Sequence, residues 1–358
     1  MKFKNYVEGL DISDVFKKRI LNIDFINANP VYYQNYPSLF ANVFAIKKSS
    51  LDLLNIAGYF CYQSTLYVDD LIDEKELSVF PLISVCQEES IKLLTHLFGL
   101  KHPFWELWNS RKNEYFQAVL LEKELFKKKI VTIKEYEILA DQKSAFGKVA
   151  IDCLYSLDSN CDTTLYEKLH LSHKYFSVAF QLNDDVKDLK EDIVNGQFNW
   201  AVALLKKENL TEKDPAILEK YLYLRGISKQ MFLLGIEYCD KSLNIVKDID
   251  VPKWKEIVED FKKAFSKAIY EFENYLEVLV TEINMSKKIV VSNSIKESIP
   301  LAIQFIKSKQ KDNGSWHEYI NQGGISTVWS TSFILSKISA NPHLKLVFKK
   351  RFQTLCLF

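Results

Sequence analysis

Aspartates recur in two blocks of one spacing, Asp69-Asp70-Leu71-Ile72-Asp73 and Asp184-Asp185-Val186-Lys187-Asp188, 115 positions apart. Both stand in stretches of helical character. The outer aspartates of each block are four residues apart, so a helix sets them on one face, a turn apart. A fold that brings the blocks together gathers six carboxylates, which repel one another unless cations sit between them. Hard cations with oxygen ligands meet that need. Mg2+ fits especially well, since it keeps several waters and joins carboxylates to phosphate groups. The expected substrate therefore carries negative charge of its own.

The rest of the chain narrows the fold class to all-α. Only 10 Gly and 8 Pro interrupt 358 residues, and long Leu/Ile/Phe/Lys/Glu stretches favour helix. Ser49-Ser50 starts a long helix reaching about Glu76, and Pro103 opens another to about Lys129. Thr132 with Glu135 forms a capping box for a helix extending to Leu157. The next helix runs from Thr164 through the second block to Asp192, where Asn195-Gly196 stops it. Two more are expected, over about 213–246 and 252–284. Both acid blocks thus end long helices, at one rim of a bundle with an apolar interior below. Composition shifts near Lys287-Lys288 and Ser292-Asn293. The expected division is a helical domain over 1–286 and a smaller segment over 295–358, with Ile299-Pro300 opening a helix and another over 326–339.

Charge and cysteine content exclude several classes. The formal charge is +1 and 47% of residues are apolar. No basic, aromatic-interleaved stripe marks a nucleic-acid surface. The six cysteines show no metal-binding spacing and fall mostly in apolar helical stretches, as small buried hydrophobes of a reducing compartment do. Neither a signal peptide nor a membrane span is legible. A cytoplasmic protein without nucleic-acid or membrane partners is expected.

Charged rims above an apolar interior suit one kind of chemistry. An allylic prenyl diphosphate ionises when cations stabilise the charge growing on its leaving group. The resulting carbocation must then be kept from water by an apolar pocket, where aromatic faces also stabilise it. Tyr59, Phe60, Tyr62, Tyr67, Phe116, Phe146, Tyr175, Phe176 and Phe180 are the aromatics on or near the block-bearing helices. Ser64, Thr65 and Phe116 are candidates for the cavity floor. The i,i+3 pair His170 and His173 lacks a third ligand and reads as packing or surface. Arg111 and Arg225 read as surface residues. Glu74, Glu191 and Asp192 read as an extension of the solvated acidic face, with Asp192 alternatively a support behind the metal ligands.

Thr65-Leu66-Tyr67-Val68-Asp69-Asp70-Leu71-Ile72-Asp73 resembles the first aspartate-rich motif of trans-isoprenyl diphosphate synthases. Phe180-Gln181-Leu182-Asn183-Asp184-Asp185-Val186-Lys187-Asp188 is similar to the second, and Gln142-Lys143-Ser144-Ala145-Phe146-Gly147 resembles the family's Lys-Thr segment. The resemblance covers about residues 35–285 in family order. It implies the class I isoprenoid synthase fold, with Asp69, Asp70, Asp73, Asp184, Asp185 and Asp188 as catalytic residues that ligate about three Mg2+ ions. It further implies Lys143 on the diphosphate. Gln181, one turn before the second block, is a candidate diphosphate or metal-water contact. Lys187 either joins them or neutralises nearby acids at the helix end, and Phe116 and Phe180 are candidates for contact with the prenyl chain. Family members are commonly dimers, so a homodimer is implied.

Departures from the family pattern bear on the reaction. Chain-elongating members hold the second diphosphate with a Gly-Lys-x-x-Arg-type segment, an Arg pair and a later Gly-Lys-x-Thr. The matching stretches here are Gln34-Asn35-Tyr36-Pro37-Ser38-Leu39-Phe40, Glu74-Lys75-Glu76-Leu77-Ser78 and Gly196-Gln197-Phe198-Asn199. None supplies an arginine, the residue best shaped for bidentate phosphate binding, and the chain has four arginines in all. The leading reading is a class I terpene synthase that cyclises or deprotonates the cation. The alternatives are a trans-prenyltransferase using isopentenyl diphosphate and a non-catalytic synthase subunit. Phe305-Ile306 with Gln310 and Gly314-Ser315-Trp316 is similar to the QW repeat of squalene and hopene cyclases, with Trp329 and Phe333 in the helix that follows. A single repeat does not make a barrel.

Overall fold

The computed structural model describes residues 2–23, 26, 30–73, 75–160, 162–212, 214–289, 295–311, 316 and 334, without the side chains of Asp69, Ile72, Asp73, Leu279, 282–289 and 295–299. The described residues are helical, with no β-strand among them. They fall in two compact units, Met1–Tyr270 and Glu271–Phe358.

In the first unit, short helices α1 (Phe3–Glu8) and α2 (Asp14–Ile20) precede a 3-10 segment, Val31–Leu39, and the long α3 (Lys48–Asp73). Then come α4 (Phe80–Phe98), α5 (Phe104–Lys127), α6 (Ile133–Lys143), α7 (Ala145–Leu157) and α8 (Thr163–Lys187). They are followed by α9 (Leu189–Asn195), α10 (Trp200–Lys207), α11 (Pro215–Leu224), α12 (Ile227–Ile245) and α13 (Pro252–Ile289), of which the residues up to Tyr270 belong to this unit. Helix α3 packs chiefly on α4, and α8 on α12. Ser172 and Ser242 bond across the α8–α12 pair, and Trp254 Nε1 donates to Ser172 Oγ at 2.9 Å. The core includes fully buried Phe40, Tyr136, Ile151, Trp254 and Phe265. Close approach of α12 and α13 needs Gly235, where a Cβ would stand 2.7 Å from the Phe265 ring.

Caps follow the sequence, and three helices expected as continuous are broken or bent. The Thr132–Glu135 capping box forms, and Gly196 ends α9 in the left-handed region at φ 68. The helix expected over 132–157 is broken at Ser144, which caps both α6 and α7. The helix expected from 164 to 192 bends at Asp188, whose φ of −95 and ψ of 10 close α8 and open α9. The stretch expected over about 213–246 is two helices, because Gly226 takes φ 70. Gly tolerates that conformation without the Cβ penalty.

In the second unit α14 (Ile295–Ser308) carries Pro300 inside it rather than at its start. Trp316 is buried and donates from Nε1 to the Ile306 carbonyl at 2.8 Å. The rest of the QW-like segment, with Trp329, Phe333 and the helix expected over 326–339, lies outside the described residues. No described helix is long and apolar enough to cross a membrane.

Candidate active site

A cavity of about 560 Å3 opens between α3 and α8. Along α3 it is lined by Leu54, Gly58, Cys61, Tyr62 and Thr65, and along α8 by His173, Phe176, Ser177, Phe180 and Asp184. Each set is a single helical stripe at three- and four-residue spacing. Both aspartate blocks therefore end helices that wall the same cavity.

That phase sorts the aromatics expected around the substrate. Tyr62, Phe146, Phe176 and Phe180 line the cavity. Tyr59 and Phe60 face away from it toward α1, with ring centroids 4.7 and 4.8 Å from Phe3. Tyr67 is buried but does not line it, and Tyr175 packs on Tyr238 across α12. Phe116 corrects an expectation most directly. It is 54% exposed, and Tyr115, one residue earlier, takes the cavity position. One step along a helix turns a side chain by about 100°. Thr65 reaches the cavity, while Ser64 is turned aside and donates to the Cys61 carbonyl.

At the acid end, Lys143 and Ser144 stand at the α6–α7 break and line the cavity beside Asp184. Lys143 Nζ lies 2.9 Å from Glu122 Oε1. Burial alone would lower the lysine's pKa, but Glu122, Asp185 and Asp192 outweigh it and hold the ammonium charged. Burial and the neighbouring Asp188 and Asp185 push Asp184 up to about 7. Lys187 and Asp188 are exposed at the end of α8.

Asp185 has another task. It is 2% exposed and accepts from Gln181 Nε2, Tyr136 Oη and the Trp200 amide, each at 2.9 Å. These bonds tie α8 to α6 and to the start of α10. Asp185 was expected as a metal ligand and Gln181 as a diphosphate contact; in the folded chain each is engaged with the other. Gln181 is also absent from the cavity lining, whereas Phe180 is part of it.

Sequence reasoning passed over one partner of this acid group, Asn199, and held another, Asp192, only as an alternative. Asn199 caps α10 through its carbonyl oxygen, and its amide nitrogen donates to Asp192 Oδ2 at 2.8 Å and to the Asp185 carbonyl at 2.7 Å. The stretch read as a degraded Gly-Lys-x-Thr thus ties Asp185 and Asp192 together through the Asn199 side-chain amide nitrogen, while its amide oxygen caps α10. Asn199 ahead of the apolar run Trp200–Leu205 was the available signal. Asp192 lies one turn beyond Asp188, and burial pushes it up to about 6, with Asp185 adding to the effect.

Of the first block, Asp70 is half-buried at the end of α3, and the side chains of Asp69 and Asp73 lie outside the described residues. Among the described residues no three His, Cys, Asp or Glu side chains converge to hold a metal ion by themselves. The chemistry of the donors still fits Mg2+. Asp184 and Asp188 are hard oxygen donors, and burial together with Asp188 and Asp185 disfavours the charged form of Asp184, which a neighbouring cation would restore.

The segment at the place of the family's first basic stretch is aromatic. Tyr33 and Tyr36 line the cavity, and Tyr33 stacks on Tyr62 with centroids 4.0 Å apart and planes 8° from parallel. Gln34 and Asn35 face a separate cleft beside α1 and α2. Behind the cavity Asp152 is fully buried, bonded by Arg111 Nε at 2.8 Å, Tyr166 Oη at 2.8 Å and His170 Nε2 at 2.8 Å. Arg111, expected at the surface, is a largely buried structural cation, its side chain 13% exposed.

No protein-family model and no curated protein sequence matches the chain. Solved structures do. Heptaprenyl diphosphate synthase from Staphylococcus aureus superposes with TM-score 0.61 at 15% identity, over 73% of this chain and 96% of that one. A polyprenyl synthase from Caulobacter crescentus CB15, complexed with calcium and isoprenyl diphosphate, gives 0.60 at 15%, over 73% and 90%. Geranylgeranyl pyrophosphate synthetase from the archaeon Geoglobus acetivorans gives 0.58 at 16%, over 73% and 96%. At such identities the likeness speaks for the backbone, and it shows that this chain has the all-α fold of the class I isoprenoid synthases.

Proposed function

We propose that this chain is an enzyme of prenyl diphosphate metabolism that ionises an allylic prenyl diphosphate at the acid end of its cavity. One observation carries the reading. The helices ending in the two aspartate blocks wall one largely apolar cavity, with Lys143 and Asp184 at one end. Asp69, Asp70, Asp73, Asp184 and Asp188 are the residues that would hold Mg2+. The metal, when bound, would stabilise the diphosphate leaving group. Lys143 would turn from Glu122 to the diphosphate. Phe176, Phe180, Tyr33 and Tyr62 would exclude water from the carbocation and face it with π-systems.

Two fates of the cation have specific support. The matched structures named above are prenyl diphosphate synthases, which favours capture of the cation by a second isoprenoid diphosphate. The stretch 31–39 carries tyrosines where the sequence pattern of chain-elongating members has a basic segment, and this favours quenching within one molecule. Incubation with Mg2+, an allylic diphosphate and labelled isopentenyl diphosphate decides. Label in a longer diphosphate supports transfer, and a hydrocarbon or alcohol from the allylic substrate alone supports internal quenching. Asp184→Ala is expected to lose diphosphate release while keeping its helical spectrum. Full turnover by that variant overturns the assignment.

A further inference from the structure

Far from the acids, the cavity wall carries a polar pair that none of the preceding roles uses. His173 is 2% exposed and lies eleven residues before Asp184 on the same helix, roughly 16 Å away at helical rise. Its Nε2 lies 3.0 Å from Tyr36 Oη. Both residues line the cavity. We propose that Tyr36 and His173 form a proton-accepting pair that ends the reaction by taking a proton from the distal part of the prenyl cation. This rests on the reading that the cavity ionises a prenyl diphosphate, and it concerns the internal fate of the cation.

The hydrogen-bond network assigns the tautomer. Ser177 Oγ donates to the His173 carbonyl at 2.9 Å, so it accepts from Nδ1–H at 3.3 Å. In the neutral ring Nε2 then lacks a proton and accepts from the Tyr36 hydroxyl. The orientation is fixed as well. The imidazole lies 1° from parallel with Trp254, centroids 5.7 Å apart. Gly147 packs against its Nε2 edge, where a Cβ would come 2.6 Å from Nε2. A phenylalanine would fill the same volume without desolvating two ring nitrogens. Burial, with Lys148, His170 and Arg111 against Asp152, holds the ring neutral. A weak base suffices, because a C–H bond beside a carbocation is strongly acidic.

The step balances. The C–H bond next to the cationic carbon breaks, and its electron pair becomes the π bond of the alkene. Tyr36 Oη takes the proton while its own hydroxyl proton passes to His173 Nε2. The imidazolium returns its proton to water once the product leaves. Net, a prenyl diphosphate becomes an alkene, diphosphate and a proton.

The test compares the full chain with Tyr36→Phe, His173→Phe and His173→Gln, given Mg2+ and fifteen- or twenty-carbon allylic diphosphates. Alkene is counted per diphosphate released. The expected result is a fall of tenfold or more in that ratio for all three, with water-captured alcohols rising. Glutamine still accepts from Tyr36 but is no base, so retained alkene in His173→Gln alone reduces the pair to positioning and overturns the proposal. An unchanged ratio in folded Tyr36→Phe, which loses one hydroxyl, overturns it too, as does a wild type that makes no alkene. Absence of diphosphate release from the wild type instead sinks the ionisation reading. Independently, 15N spectra of the histidines are expected to show one neutral ring with bare Nε2 that disappears in His173→Phe. A protonated Nε2 at neutral pH overturns the assignment.

Discussion

Tyr136 Oη donates to Asp185 Oδ2 at 2.9 Å, which makes the second aspartate of the second block a strut between α6 and α8. Removing it strands Tyr136, Gln181 and the Trp200 amide in a buried place. Asp185→Ala is expected to cost about 2–4 kcal/mol in chemical denaturation. Asp188→Ala, at an exposed position, is expected to cost under about 0.5 kcal/mol. Equal losses would contradict the division of labour between the two.

Lys143 and Glu122 form a pair that a diphosphate must compete with. Glu122→Gln is therefore expected to tighten Mg-diphosphate binding by calorimetry about threefold, roughly 0.6 kcal/mol. Lys143→Ala is expected to weaken it about tenfold, near 1.4 kcal/mol. A Lys143→Ala variant that binds as the wild type does would remove the lysine from the site.

Gly147 sits in α7, where Ala ordinarily stabilises by about 0.5–1 kcal/mol. Here the added Cβ meets His173 Nε2, so Gly147→Ala is expected to destabilise by about 1–3 kcal/mol. Combined with His173→Ala the loss is expected to shrink, and a double-mutant cycle on thermal melts reads that coupling. Strict additivity would show that the ring is not where the glycine makes room for it.

His173 also carries a pH signature. Burial keeps it neutral in the folded chain, whereas unfolded it titrates near about 6.5. Below that value the unfolded chain binds more protons, so this stabilisation is present above about 6.5 and lost as pH falls. Asp184 and Asp192, pushed up to about 7 and about 6 by burial, act in the opposite sense over the same range. The comparison must therefore be between variants. Between pH 7.5 and 5.5, His173→Phe is expected to lose about 1 kcal/mol less than the wild type. Parallel pH curves would mean that the ring titrates alike in both states.

Metal and diphosphate are expected to act together. In chelator-treated protein, Mg2+ with inorganic diphosphate at about a hundred times its Kd supplies roughly 2.7 kcal/mol, raising Tm by several degrees. Either alone is expected to do less, and Asp184→Ala to remove the joint effect. A joint shift that survives in Asp184→Ala would move the anion site elsewhere.

The sequence by itself determined the helical class, the capping box at Thr132, the stop at Gly196 and the placing of both acid blocks at helix ends. Those are properties of local backbone preference and of side-chain periodicity, which a chain carries in its order of residues. Which face each helix turns inward was not legible, because periodicity yields a stripe and not its partner. Tyr59 and Phe60 therefore went to α1, and Tyr115 replaced Phe116 in the wall. Carboxylates of like spacing look alike in sequence. Only packing separated Asp185, closed in by Tyr136, Gln181 and Trp200, from Asp184 on the cavity wall. Tyr36 and His173, 137 positions apart, became a pair only when the 3-10 segment was laid against α8. Tertiary contact alone decides such pairs, since no local rule links residues that distant.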